Sequence, residues 1–220
     1  LTHDDVEGLF HEFGHALHGC LTRVPYASLA GSSVEWDFVE TPSQALENWA
    51  WEPAVLDAVS GHYARPEEKL PGEIRDRIIA ARDLGAGLFY TRMLVISSED
   101  MAFHTASGPV DVPAVGNRVY RELMGIEPLP GGHEPSTIGH FMGGYDAGYY
   151  SYLWAEVYAL DVFARFKKDG LFNPATGAAY RHAILEQGNM QDGDALLRQF
   201  LGRAPTMDAF YERLHIHPLQ

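Results

Sequence analysis

His11-Glu12-Phe13-Gly14-His15 sets two imidazoles at i and i+4, and on an α-helix side chains at that spacing leave one face a turn apart. Two histidines so placed can share a single metal ion, with the glutamate between them beside it as a base. The chain around the motif therefore has to be helical, and its pattern agrees. From about Asp4 to Leu21, the residues Val6, Leu9, Phe10, Phe13, Leu17 and Leu21 recur at i, i+3 and i+4, which predicts one buried stripe. Thr2 and Asp5 have the spacing of a capping box, and Gly19 marks an expected C-terminal end. So short a motif also arises by chance. Its meaning depends on whether the chain adds a third ligand and groups able to hold a transition state.

The remaining pattern is mostly α-helical with little β structure. Val24 to Ser33 is irregular, with room for a short extended piece. A helix is predicted from Pro42 through Trp49, because proline favours the first turn. A long helical stretch from about Pro71 to Phe103 is weakened at Gly85 and Gly87, and another helix covers Val112 to Met124. Residues 125–135, rich in proline and glycine and without periodicity, read as a loop inside one site and not as a domain boundary. A helix from about Tyr145 to Lys168 follows, then shorter ones near 175–186, 192–201 and 206–214. The whole of 1–220 is expected to form a single domain.

Catalytic zinc sites take three protein ligands and leave a further position open. The third candidate is Glu40, just before the helix predicted from Pro42. Glu47 lies two helical turns further on and faces the same way. It either accepts the free ring N–H of a ligand histidine or is an ordinary helix charge. His18, three residues beyond His15, is rotated off the ligand line and is expected to be packed or hydrogen-bonded. His3, His62, His104, His182, His215 and His217 have no spacing that demands a metal, although His215 and His217 form a tail pair capable of adventitious binding.

A second constellation runs from His140 to Trp154. On a helix starting near Tyr145, Tyr145, Tyr149 and Tyr152 would follow i, i+4, i+7 along one face. Each buried phenol needs a hydrogen-bond partner, so three in a row are costly as packing but suited to donating to an oxyanion. Gly143-Gly144 permits close backbone approach, and Tyr150 points elsewhere as a structural residue.

The formal net charge of −14 argues against nucleic acid or an anionic membrane as partner, since both need a basic face. One cysteine, Cys20, allows no intrachain disulfide and favours a reducing compartment, here read as the cytoplasm. The thiol itself is expected to be buried or idle. No signal peptide or apolar span of membrane length is evident, and a first residue that is not Met hints at truncation or processing.

Taken together, His11-Glu12-Phe13-Gly14-His15-Ala16-Leu17-His18, Asp37-Phe38-Val39-Glu40 with Pro42-Ser43-Gln44, the His140–Trp154 segment, Arg165-Phe166-Lys167-Lys168, Gly170-Leu171-Phe172-Asn173-Pro174 and Gly202-Arg203-Ala204-Pro205 resemble the C-terminal catalytic part of the thimet oligopeptidase family of zinc metallopeptidases. The resemblance runs almost end to end. It implies a zincin-type helical catalytic domain acting on short peptides, with one Zn²⁺ per chain held by His11, His15 and Glu40 and with Glu12 as general base. It also implies that His140, Tyr145, Tyr149 and Tyr152 touch the substrate or its tetrahedral intermediate. Trp36 departs from the pattern, since relatives often carry a basic residue there. The family's N-terminal channel wall has no counterpart in these residues, so the chain is read as a fragment or short form. Two expectations follow: a peptidase, or a zinc-binding half that is inactive without that missing part or a partner. A different hydrolase on the same ligand triad is a third. Endopeptidase and dipeptidyl carboxypeptidase activities share all these motifs.

Overall fold

The helix demanded by the H-E-x-x-H spacing is α1 (His3–Leu21), in a computed structural model that describes residues 1–216. The capping box expected of Thr2 and Asp5 is formed, and two acidic residues in the first turn suit the positive end of the helix dipole. The helix runs past Gly19 to Leu21. His217 lies outside the described residues.

By Cα packing the chain divides into two compact units, Leu1–Leu84 with the chain from Trp154 onward, and Gly85–Leu153. In the first unit α1 is followed by α2 (Trp36–Val39), α3 (Thr41–Glu47), α4 (Pro53–Val59) and α5 (Gly72–Ala80). Prolines open α3 and α4, where a missing N–H costs nothing. The helix expected through Trp49 ends in a 3₁₀ turn over Asn48–Trp51, and 24–33 holds a 3₁₀ turn at Ala27–Leu29. The second unit is built on α6 (Ala86–His104) and α7 (Val112–Met124). The stretch predicted from Pro71 to Phe103 is thus two helices, broken where Gly85 adopts φ 79°. The chain then returns through α8 (Ser151–Asp169), α9 (Pro174–Tyr180), a π-helical turn, α10 (Gly193–Leu201) and α11 (Asp208–Leu214). The mostly α-helical architecture is as expected; among the described residues the only β feature is an isolated bridge between His62 and Arg65. No described helix is long and apolar enough to cross a membrane.

The first unit's core gathers Phe38, Ala45, Val162, Phe166, Ile184 and Phe200, with Leu17 and Leu21 packed against it. The predicted buried stripe of α1 is only partly realised: Leu9 is 63% and Phe13 55% exposed, while Gly14 and His18 are buried. The reason is the crossing with α3. A Cβ on Gly14 would lie 2.5 Å from Ser43 Cα and 2.6 Å from Pro42 O, so only glycine lets the two backbones come this close. The inward face of α1 is centred on this crossing and not on the apolar stripe. Buried Asp161 in α8 binds the Arg203 guanidinium at both oxygens, Nη1 donating to Oδ2 at 2.8 Å, and accepts from Thr206 N at 2.9 Å.

In the second unit α6 packs on α7, and the buried apolar residues there include Val95 and Ile96 of α6, Val119 of α7 and Phe141. α7 keeps the boundaries read from the sequence, with Asp111 capping Ala114 N at 3.0 Å and Gly125 closing the end at φ 69°.

Candidate metal centre and tyrosine cluster

α1 presents His11 and His15 on one face, their rings 5.0 Å apart and nearly perpendicular. The corner between α2 and α3 delivers Glu40, which is 4% exposed. Glu40 Oε2 lies 3.4 Å from His11 Nε2 and 3.0 Å from His15 Nε2. All three ligand atoms fall within 4.8 Å of one another. Ligand atoms around a tetrahedral Zn²⁺, each bonded at about 2.0–2.1 Å, stand roughly 3.4 Å apart, so the triad is already close to that spacing.

Two further residues orient the triad. His11 Nδ1 lies 2.5 Å from Glu47 Oε1, and with Nδ1–H donating there the Nε2 lone pair is directed towards Glu40 and His15. Ser43 Oγ donates to Glu40 Oε2 at 2.9 Å and to Glu40 O at 2.8 Å, which pins the carboxylate from below. Burial pulls the His11 imidazole down, but its bonds to Glu40 and Glu47 outweigh this and hold it up at about 10. Burial pushes the Glu47 carboxyl up while His11 opposes it. A metal ion bound to His11 Nε2 would compete with a proton for that lone pair, so binding there would be coupled to proton release. Two nitrogens and one oxygen on convergent side chains fit Zn²⁺.

Glu12 follows His11 on α1 and is exposed to solvent. His18 stands outside the ligand group: it is fully buried, its pKa drawn down to about 4 by burial and then by the neighbouring His15. Cys20, expected to be buried or idle, is free and exposed. Trp36 opens α2 with 49% of its surface accessible.

His140 and the tyrosines Tyr145, Tyr149 and Tyr152, all in the second unit, are arranged differently from their prediction. α8 starts at Ser151, so Tyr145 and Tyr149 sit in the turns before it and do not share a helical face with Tyr152. Gly144 at φ 99° and Ala147 at φ 59° hold those turns open. The residues nonetheless gather around one imidazole. Ring centroids of Tyr145, Tyr149 and Tyr152 lie 5.6, 5.1 and 5.8 Å from that of His140, and Tyr145 stacks on Tyr152 at 5.0 Å. Burial raises the Tyr149 phenol, which keeps it a protonated donor. A cavity of about 720 Å³ opens beside them, lined by Arg92, Ile96, Ile138, His140, Tyr145 and Tyr149 among others. Tyr150 is 43% exposed.

A model of the family described as Peptidase family M3 matches residues 1–216. The chain belongs to that family. Among relatives of this M3 chain, oligopeptidase A of Escherichia coli (strain K12) is 43% identical, over 98% of the chain and 32% of the relative. Saccharolysin of Saccharomyces cerevisiae is 36% identical over 97% and 31%, and dipeptidyl carboxypeptidase of E. coli 37% identical over 93% and 30%. The M3 chain thus spans about a third of the length of the relatives it matches. The solved structure titled "BsuCP Crystal Structure" shares its fold, with a TM-score of 0.66 at 17% identity over 95% of this chain and 47% of the other.

Ser43, and Asp100 described below, were not singled out in the sequence of this M3 chain. Ser43 had a local signal, since a hydroxyl three residues after Glu40 at a helix start can turn back onto it. Asp100 stands in Ser97-Ser98-Glu99-Asp100, between the apolar Leu94-Val95-Ile96 and Met101-Ala102-Phe103 of α6, and an acid buried among such neighbours is costly unless something binds it.

Proposed function

We propose that this chain is the zinc-binding catalytic part of an oligopeptidase and hydrolyses peptide bonds in short peptides. The observation that carries the reading is the convergence of His11 Nε2, His15 Nε2 and Glu40 Oε2 on one point, with Glu12 on the same helix. Zinc, when bound there, polarises the scissile carbonyl and acidifies a water molecule. Glu12 takes the proton of the attacking water and delivers it to the leaving amine nitrogen. Glu47 keeps the His11 ring in the tautomer that can ligate, and Ser43 keeps the Glu40 oxygen aimed at the centre. His140, Tyr145 and Tyr152 donate to the substrate oxyanion, and Tyr149 with His140 and Tyr145 binds the peptide. Preorganised donors of this kind usually contribute the largest share of a rate enhancement. In this reading the chain works as one catalytic domain, in the cytoplasm. That compartment accords with its single cysteine and with a relative named probable cytosolic oligopeptidase A.

The test is turnover of a quenched fluorescent peptide with zinc content measured on the same sample. Glu12→Gln should retain stoichiometric zinc and lose at least about 10³-fold in kcat. Full activity in that variant would refute the mechanism. A second reading is favoured by the chain's span, about a third of its relatives' length. It is a zinc-loaded half that turns over peptide only when the remaining part of the family fold is supplied. Stoichiometric zinc without cleavage by this chain, with cleavage by a longer one, would select it.

A further inference from the structure

The segment carrying Tyr145 and Tyr149 is not α-helical, and its own backbone closes only three-residue turns, Gly148 N donating to Tyr145 O at 2.8 Å and Tyr152 N to Tyr149 O at 3.3 Å. It is held by Asp100, which projects from α6 and has none of its surface exposed. Asp100 Oδ1 accepts from Ala147 N at 2.9 Å and Oδ2 from Tyr149 N at 2.9 Å, so one carboxylate spans the turn on both sides of Gly148. His104, one turn further along α6, places its Nδ1 2.8 Å from Asp100 Oδ1 and 2.9 Å from Asp100 O. Ala147 is kept at φ 59°, a conformation costly for any residue with a Cβ. A carboxylate buried to this extent is unfavourable unless its oxygens are occupied, and a turn strained in this way relaxes unless something holds it. Each cost is offset by the other, and the outcome is a fixed backbone under Tyr145 and Tyr149.

We propose that Asp100, oriented by His104, is the positioning residue of the tyrosine cluster: its carboxylate holds the Ala147–Tyr149 turn so that Tyr145 and Tyr149 stay gathered around His140. Asp100 touches no substrate. Its effect on turnover rests on the peptidase reading above, whereas its hold on the turn does not.

The experiment joins amide hydrogen exchange with kinetics on the full zinc-loaded chain, for wild type and for the nearly isosteric Asp100→Asn. In the wild type the amides of Ala147 and Tyr149 should exchange at least about 10²-fold more slowly than unprotected loop amides. Asn cannot accept at both of its terminal atoms, so Asp100→Asn should release at least one of the two amides. kcat should fall by about 10–10²-fold, the scale of a small misplacement of reacting groups, and KM should rise because Tyr145 and Tyr149 also bind the peptide, with zinc content unchanged. Rapid exchange of both amides in the wild type would overturn the proposal without any variant. So would an Asp100→Asn protein with unaltered exchange, or one whose kcat falls only in proportion to its folded fraction. A wild-type chain with full zinc and no turnover would rule out the reading in which this chain is active by itself. Exchange would then decide Asp100 alone: protection that Asp100→Asn removes upholds it, and protection that survives refutes it.

Discussion

Glu99, the neighbour of Asp100, shows how much a single buried side chain depends on its partners. It is 1% exposed, and neither carboxyl oxygen has a hydrogen-bond partner among the described residues. Burial, and after it the charge of Glu134, push its pKa up to about 7, with Arg92 pulling the other way. A carboxyl raised in the folded state binds its proton more tightly there than in the unfolded chain. Its contribution is therefore fully present below the ordinary value of 4.5 and is lost as pH rises through about 7. Glu99→Gln removes the charge but keeps the shape, so it should stabilise the protein by up to about 3 kcal/mol at pH 8 and change little at pH 4.5. Urea midpoints at the two pH values would check this; equal or lower stability of the variant at pH 8 would show that Glu99 is neutralised by something else.

At the scale of elements, the metal centre depends on how closely α1 and α3 cross. A methyl group at position 14 would meet the backbone of Pro42 and Ser43, which cannot step aside as a side chain could. Gly14→Ala should cost about 1–3 kcal/mol despite alanine's better helix propensity. It should also weaken zinc binding by at least about tenfold, because Glu40 and Ser43 move away from His11 and His15. A competition titration against a chromophoric chelator would measure the affinity, and an unchanged value would mean that the corner adapts. Helices with local signals were legible in the sequence, α7 from its Asp111 cap, Pro113 and Gly125, and α1 from Thr2 and Asp5. The residues that converge at His11, His15 and Glu40 were legible too, because i, i+4 spacing and a following helix start are local facts. The start of α8 was not. What keeps Tyr145 and Tyr149 out of that helix is Asp100, 47 and 49 residues away from the amides it binds, and periodicity carries no trace of so distant a partner. The exposed Leu9 and Phe13 misled for a related reason: an apolar stripe marks which face could be buried, and the Gly14 crossing decided which face was.

For the whole molecule, the ion would cross-link elements distant in sequence, since His11 and Glu40 are brought together only by folding. Binding to the folded but not the unfolded chain stabilises by mass action, about 4 kcal/mol when free metal exceeds Kd a thousandfold. For a chain of this size that corresponds to roughly 10 °C in Tm. Stripping the metal with a chelator should therefore lower Tm by about that amount, with lost exchange protection concentrated in α1 and α3. His15→Ala should abolish the difference; a chelator effect of equal size in that variant would place the stabilising ion elsewhere.

The Asp161–Arg203 pair has no part in this chemistry, yet it sets a limit on how small the protein can be made. Trimming after α10 would remove none of His11, His15, Glu40 and Glu12 and none of the tyrosines around His140. It would, however, take away the guanidinium and the Thr206 amide that neutralise a carboxylate sunk into α8, the helix whose Val162 and Phe166 lie in the same core as Phe38 just before Glu40. Uncompensated, a buried charge of that kind costs about 3–5 kcal/mol, a large fraction of what holds a typical domain together. A minimal version of this protein is bounded by its electrostatics before it is bounded by its reaction.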